Sequence, residues 1–264
     1  PFNIQFIAQG SDVQIIECNL RASRSFPFVS KVFGVNFIDL ATRAMVGAPV
    51  RPVTRSWLDL DYVGVKAPQF SFPRLDGADP VLGVEMNSTG EVACLGDDLD
   101  EALLKAMLSV GYRMPVHSVL LSTGPLDTKA EFIPSARKLA QAGVRLYATD
   151  GTAQFMRQFG LEPAVLHWPL EQKSPNALEY LTQGKIDLVI NVPKSWEAQE
   201  LRNDYLIRRC AVDYNIPLIT DLNLARRFTS ALVSKRLDQL AVKSWDEYGA
   251  CEMAAEPEKL RLVG

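Results

Sequence analysis

From residue 116 onward the chain alternates between two patterns, and that alternation leaves few folds open. Short runs rich in Val, Ile and Leu are each followed by a longer segment with helical spacing. Strands are expected at about 117–122, 144–148, 163–167, 186–191 and 216–220. Helices are expected at about 129–142, 151–159, 173–183, 197–214 and 222–235. Parallel neighbours need a crossover, a helix is the usual one, and strands buried on both faces read as near-continuous apolar runs. The expected class is therefore α/β, a parallel sheet with helices on both faces.

The first part of the chain reads differently. Phe2, Ile4, Phe6 and Ala8 alternate with Asn3, Gln5 and Ile7, Gly10-Ser11-Asp12 supplies turn chemistry, and 13–19 is again strand-like. This predicts a hairpin. Val35, Ile38, Ala41, Thr42 and Met45 follow helical spacing up to Gly47, and Pro49 and Pro52 open a connector. Short strands are expected over 62–95, punctuated by Pro68, Pro73, Gly77, Pro80, Gly83 and Gly90, then a helix at about 99–110. The break from Gly111 to Pro115 is the best domain boundary. The expected division is 1–114, 115–250 and a loose tail at 251–264.

Composition narrows the function classes. With 264 residues, 47% of them apolar, the chain can bury the core of one large domain or of two medium ones. A net charge of -3 with mixed signs gives no reason to expect nucleic acid or an anionic membrane as partner. No apolar run approaches the roughly 18 residues that would span a bilayer. No signal peptide is visible after Pro1, and the absent initiator Met suggests a fragment or a processed chain. Cys18, Cys94, Cys210 and Cys251 are widely spaced and read as reduced thiols of an intracellular protein.

Two places gather chemistry-bearing residues. Glu17 and Asn19 are two apart on a strand and so share a face. With a turn at Gly10 to Asp12, Gln5 lies opposite Glu17 on that face. Three oxygen-bearing side chains suit a hard cation such as Mg²⁺, which also binds substrate phosphates. Arg21 and Arg24 follow, and guanidinium forks suit phosphate oxygens. A solvated strand face would explain Glu17 and Asn19 alone; the added Gln5 and the two arginines favour a site. Lys66, Arg74 and Glu85 are expected to form ion pairs.

Ile16-Glu17-Cys18-Asn19-Leu20-Arg21-Ala22-Ser23-Arg24-Ser25-Phe26-Pro27-Phe28-Val29-Ser30-Lys31 resembles the end of an ATP-grasp domain in carbamoyl phosphate synthetase. So do the runs 68–75 and 78–91. The resemblance covers essentially the whole chain and points to the C-terminal part of the large subunit. It implies an α+β portion of the second, carbamate-phosphorylating ATP-grasp domain over 1–114, followed by a Rossmann-like, methylglyoxal-synthase-like allosteric domain. The family makes carbamoyl phosphate from bicarbonate, ammonia or glutamine, and two ATP, serving arginine or pyrimidine synthesis. Positions matching Gln5, Glu17 and Asn19 hold Mg²⁺ or Mn²⁺ on the ATP phosphates, and those matching Arg21 and Arg24 face the phosphoryl-transfer centre. The partners implied are the rest of the large subunit and a glutaminase subunit or domain. The location implied is cytoplasmic or mitochondrial. The adenine-holding and phosphate-covering parts lie upstream in the family, so this chain alone is expected to be inactive.

The second place lies at the carboxyl ends of the later strands, where open parallel sheets bind ligands. Thr149-Asp150-Gly151-Thr152 ends one strand and opens a helix, offering hydroxyls and backbone N–H groups to an anion. Trp168 and Asn191 end the neighbouring strands. The plainer roles are N-capping by Thr149 or Asp150, core packing by Trp168 and loop support by Asn191. By resemblance, positions matching Thr149, Thr152, Trp168 and Asn191 line an effector site, with Lys194, Asn203 and Asp204 in the connection that follows. Bacterial relatives carry a lysine at the position of Trp168. N-acetylglutamate-activated and UTP-regulated relatives carry a tryptophan there. The short connection from Asn191 to Tyr205 is closer to the N-acetylglutamate type, although that type has an asparagine where Lys194 stands. N-acetylglutamate or a related acidic ligand is the expected effector. Arg208 and Arg209 are expected either to add positive potential or to pair with Asp204 and Asp213.

Two other functions fit parts of the pattern. A lyase like methylglyoxal synthase would use Asp150 as base. Neither His117 nor His167 is obviously placed for that chemistry, and 1–113 would be unexplained. A non-catalytic sensor of a small ligand is the other.

Overall fold

A computed structural model describes residues 1–54, 56–81, 88–193 and 198–248. The chain folds into two compact units. The first is Pro1–Gly64 and Leu95–Asp98 with the described residues from Val242 on; the second is Val65–Cys94 and Leu99–Ala241. The expected 251–264 tail lies outside the described residues.

In the first unit, β1 (Asn3–Gln9) and β2 (Asp12–Asn19) form the expected antiparallel hairpin. The turn is tight because Gly10 adopts a positive φ of 60° that costs glycine little. A bulge between Gln5 and Phe6 breaks the alternation, pairing Gln5 with Glu17 but Phe6 with Ile15. Two helices follow, α1 (Ser25–Phe33) and α2 (Phe37–Met45). Helix α2 starts where the Asn36 side chain accepts from the Asp39 amide. Helix α1 was not among the expected elements, and it contains Pro27. That proline stands in the first turn, where the backbone N–H has no helical partner to lose.

Among the described residues, the run expected as several short strands holds two longer ones, β3 (Val63–Phe70) and β4 (Ser88–Gly96), paired in a two-stranded sheet. Helix α3 (Leu99–Ser109) leads into the expected alternation. It runs β5 (Ser118–Thr123), α4 (Leu126–Gln141), β6 (Arg145–Ala148), α5 (Asp150–Arg157), β7 (Ala164–Val165), α6 (Ala177–Thr182), β8 (Leu188–Val192), α7 (Ala198–Asp213), β9 (Leu218–Ile219) and α8 (Leu222–Ser234). Strand order is β7-β6-β5-β8-β9, with every pair parallel. The mixed α/β class is as expected. The outer strands β7 and β9 are shorter than the sequence suggests, each having one neighbour to hold it. Helix α6 starts later than expected because Asn176 and Glu179 cap each other's backbone there.

The strand period of two sorts the core. Val119, Leu121, Leu146, Ala148, Leu188 and Ile190 face one layer, with Leu104 of α3, Phe132 of α4, Met156 of α5 and Phe228 of α8. Leu120, Tyr147 and Val189 face the other, with Leu181 of α6 and Ile207 of α7. Each fully buried Leu or Ile contributes roughly 1.5–3 kcal/mol. The sheet is therefore a stiff platform whose carboxyl edge can carry a site.

The compact units do not divide at the expected 114/115 boundary. Packing groups the chain otherwise: α3 joins the core of the five-stranded sheet through Leu103, Leu104 and Met107.

Candidate functional site

The chain runs outward from β5 to β6 and β7, then returns to the other side of β5 for β8 and β9. Connections therefore leave β5 and β8 in opposite directions, and a crevice opens at their carboxyl ends. Ser122 pairs with Asn191 there and Thr123 with Val192. A cavity of about 50 Å³ lies in the crevice, and several of its walls are Ser122, Thr123, Lys129, Thr149, Thr152 and Trp168. Gly151, Val192, Gly124 and Asp204 complete it. That volume takes a phosphate or carboxylate group with a water or two. A larger ligand would have to lie partly outside, along Trp168.

Most of the wall is buried. Thr149 keeps 1% of its surface and Asp204 3%, and Asn191 behind them none. Such groups need hydrogen-bond partners, and they have them. Thr152 Oγ1 accepts from the Thr123 amide at 3.3 Å. Asp204 Oδ1 accepts from Ser122 Oγ at 3.0 Å and from Asn191 Nδ2 at 2.7 Å. Asn191 Oδ1 accepts from Arg208 Nη1 at 2.8 Å.

Thr149 occupies the N-cap position of α5, but its side chain caps nothing. Its hydroxyl reaches Ser122 Oγ and Thr152 Oγ1, both at 3.4 Å. The simple capping role is thus corrected for Thr149: the wall of the cavity competes for its hydroxyl. The consequence is that α5 opens towards the cavity without a side-chain cap on its first amides, and the helix dipole favours negative charge there.

Gly124 is required by a close approach. A Cβ on it would stand 3.0 Å from the carbonyl oxygens of both Val192 and Pro193. The loop after β5 can pass the loop after β8 only without a side chain.

The predicted residues fall into three groups. Thr149, Thr152, Trp168 and Asp204 meet around the cavity. Asn191 and Asn203 stand behind it: Asn191 holds Asp204, and Asn203 Oδ1 accepts from the Leu170 amide at 3.0 Å, fixing the turn that carries Trp168. Lys194 lies outside the described residues. Sequence reasoning missed Ser122, Thr123 and Lys129. The rule that found Thr149 and Asn191 finds Ser122 and Thr123 as well, since they end β5. Lys129 sits in the first turns of α4, buried among the cavity residues, and no motif marks it.

Arg209 does pair with Asp213, and the guanidinium beside Asp213 holds that carboxyl below its ordinary range. Arg208 does not add free charge to the cavity; it forks onto Asp79 at 2.7 and 2.5 Å.

The hairpin of the first unit is a different kind of place. Gln5 stands opposite Glu17 in the register, and Asn19 Nδ2 donates to Glu17 Oε1 at 2.9 Å. The bulge beside Gln5 re-aims this end of the ribbon. Two amide oxygens and one carboxylate make a hard-oxygen set that fits Mg²⁺ or Mn²⁺. Among the described residues no group of three or more His, Cys, Asp or Glu gathers. Glu17 is exposed, as are Arg21 and Arg24. Arg24 is the residue before α1, and Arg21 Nη1 makes a long 3.4 Å contact to the Ala22 carbonyl. Lys66 pairs with Glu91 at 2.8 Å, and Glu85 lies outside the described residues. Among the described residues no helix is long and apolar enough to cross a membrane.

Comparison with known proteins follows the same division. Residues 131–220 match the family model of the MGS-like domain. The class defined by the parallel sheet and its edge is thus an MGS-like domain. Over nearly its whole length the chain also matches larger proteins. Multifunctional protein pyrABCN of Emericella nidulans is 50% identical over 241 residues, 88% of this chain and 11% of that protein. Multifunctional protein CAD of Squalus acanthias is 45% identical over 246 residues, 88% of this chain and 11% of that protein. The mitochondrial ammonia carbamoyl-phosphate synthase of Homo sapiens is 41% identical over 264 residues, 96% of this chain and 18% of that protein. The similarity to these relatives runs over nearly the whole chain, in line with the resemblance that its hairpin motif carries. The chain spans 11% to 18% of the length of these relatives. A solved methylglyoxal synthase from Elizabethkingia anophelis NUHP1 covers 54% of this chain and 93% of its own, at 19% identity and a TM-score of 0.34.

Proposed function

We propose that the chain is a regulatory and metal-ligating part of a carbamoyl-phosphate-forming ligase, and that the site it holds whole is a seat for a small acidic effector. The observation that carries this is the wall of the crevice at β5 and β8. Four hydroxyls (Ser122, Thr123, Thr149 and Thr152) and the Lys129 ammonium surround a cavity at the uncapped start of α5. Hydroxyl and amide donors with one cation suit a carboxylate or phosphate. The buried Asp204 sets a second requirement: the ligand must also present a donor group or keep its charge away from that wall.

In this reading residues 1–114 are the end of an ATP-grasp domain and 115–250 an allosteric domain. Gln5, Glu17 and Asn19 would hold Mg²⁺ or Mn²⁺ on ATP, and the cation would offset the charge of the phosphates. Arg21 and Arg24 would face the transferring phosphoryl group. The nucleotide is held by parts of the parent enzyme beyond this chain, so the isolated chain makes no carbamoyl phosphate. The rest of the large subunit and a glutaminase subunit or domain are the partners of that enzyme.

Two effectors compete. The short connection after Asn191 favours N-acetylglutamate. Trp168, which UTP-regulated relatives carry as well, fits UTP. Titration calorimetry of the chain with N-acetylglutamate, UTP, UMP and ornithine decides between them. Heat with either acidic ligand supports the seat, and its abolition by Thr149→Val locates it. No heat with any of the four overturns the proposal.

A further inference from the structure

Helix α7 touches the cavity with one residue and a distant stretch of chain with its next turn. Asp204 lines the cavity. Tyr205, Arg208 and Arg209 all hold residues 72–79. The Tyr205 hydroxyl donates to the Gly77 carbonyl at 3.0 Å. Arg209 Nη1 donates to the carbonyls of Phe72, Leu75 and Ala78 at 3.1, 3.0 and 3.2 Å. Arg208, with 2% of its surface exposed, forks onto Asp79.

Arg208 also connects the two sides. An unbroken line runs from Asp204 through Asn191 to Arg208 and on to Asp79. Its polarity is fixed by chemistry. A carboxylate only accepts and a guanidinium only donates, so the Asn191 amide must turn its nitrogen to Asp204 and its oxygen to Arg208. The two ends therefore share one arrangement. A ligand that draws on Asp204 changes how firmly Asn191 is held, and with it how Arg208 divides its donors between Asn191 and Asp79.

We propose that Arg208 is the positioning residue that couples the effector seat to the 72–79 segment, so that occupancy of the cavity and the hold on that segment are one equilibrium. The proposal rests on the effector reading above. Its importance lies in where the segment belongs: 72–79 joins the two runs, 68–75 and 78–91, that resemble the synthetase portion of the family. A coupling of this kind is reciprocal, so loosening 72–79 must change ligand affinity by the factor by which the ligand changes the segment.

The test is hydrogen–deuterium exchange on the whole 264-residue chain, with UTP and N-acetylglutamate each as probe, beside calorimetry on Asp79→Asn and Arg208→Lys. Asp79 lies outside the cavity wall, so a purely local seat would ignore its substitution. The expected result is slower exchange at 72–79 when a probe binds. Both variants should weaken that probe about fivefold to tenfold and lose the added protection. Protection at 149–153 with unchanged exchange at 72–79 overturns the coupling while leaving the effector seat standing. Wild-type affinity in both variants overturns it equally. Absence of any protection with either probe removes the effector seat, and the coupling with it. The exchange measurement on the unaltered chain decides even where a variant fails to fold.

Discussion

The hairpin of the first unit and the sheet edge of the second both bring polar side chains together, by opposite means. On the hairpin, Gln5, Glu17 and Asn19 share a face only because strand side chains alternate, and Glu17 stands in solvent with Phe6 and Ile15 exposed nearby. At the sheet edge, Ser122, Thr149, Asn191 and Asp204 come from two strand ends, a helix start and a second helix, and all are buried. The first arrangement is specified by local sequence and has little of its own structure holding it in place. The second is specified by topology and is held by its own hydrogen bonds. Buried residues that support one another should resist substitution poorly. Exposed residues on a ribbon should tolerate it well.

The largest effect expected from this contrast is at Asn191. Asn191→Ala leaves the buried Asp204 without one donor and the buried Arg208 without one acceptor. Both keep other partners, and each hydrogen bond lost by a buried charged group costs about 1.5–3 kcal/mol, so the second unit should lose about 3 kcal/mol in urea denaturation. Glu17→Ala removes an exposed carboxylate and should change stability by no more than about 0.5 kcal/mol. Equal losses at the two positions would erase the distinction drawn here.

Gly124 comes next. Gly124→Ala places a methyl group 3.0 Å from two backbone carbonyl oxygens, which are not free to move aside like a side-chain tip. Overpacking of this kind costs about 2 kcal/mol. Because Gly124 lines the cavity, the same change should weaken binding of whichever acidic probe gives heat. Unaltered stability and affinity would show that the two loops part easily, and that the seat is less rigid than its hydrogen bonds imply.

Thr152→Val is smaller again. It keeps the shape but removes the acceptor of the Thr123 amide, at about 1 kcal/mol. Calorimetry should show it weakening the acidic probe by about tenfold, the worth of one hydrogen bond to a charged group. A variant that loses stability yet binds normally would make Thr152 a support for Thr123 and nothing more.

How much of this was legible in the sequence follows the same contrast. The hairpin was readable because turn residues and alternation act over a few positions: Gly10 to Asp12 puts Gln5 across from Glu17. The bulge beside Gln5 was not, since nothing local marks which residue is extra. Helix α1 was not expected; its Pro27 stands in the first turn, where proline is tolerated. Thr149, Thr152 and Asn191 were found because strand ends in an alternating pattern are predictable. Lys129 was missed because a helix residue reaches the sheet edge only through packing. The pairing of Arg208 with Asp79 spans 129 positions. The nearby carboxylates Asp204 and Asp213 were the natural partners on sequence grounds, and only Arg209 with Asp213 matched.

That matched pair gives the smallest effect, and it tests whether the contrast concerns burial or simply which unit a residue belongs to. Asp213 lies in the second unit, yet 47% of its side chain is exposed. Its hydrogen bond with Arg209 holds its carboxyl below the ordinary value of 3.8. A group depressed in the folded state stabilises the fold above its unfolded pKa, and the contribution disappears as pH falls through the folded one. The gap between wild type and Asp213→Asn in urea denaturation should therefore be present at neutral pH and close as the solution is acidified below about pH 4. Solvent screening limits that gap to about 0.5 kcal/mol, the usual worth of an exposed pair at this helical spacing. A gap as large as that of Asn191→Ala, or one that widens in acid, would mean that Asp213 is bound into the buried line through its neighbour Arg209. In that case the whole of α7, and not Arg208 alone, would be the element joining the cavity to 72–79.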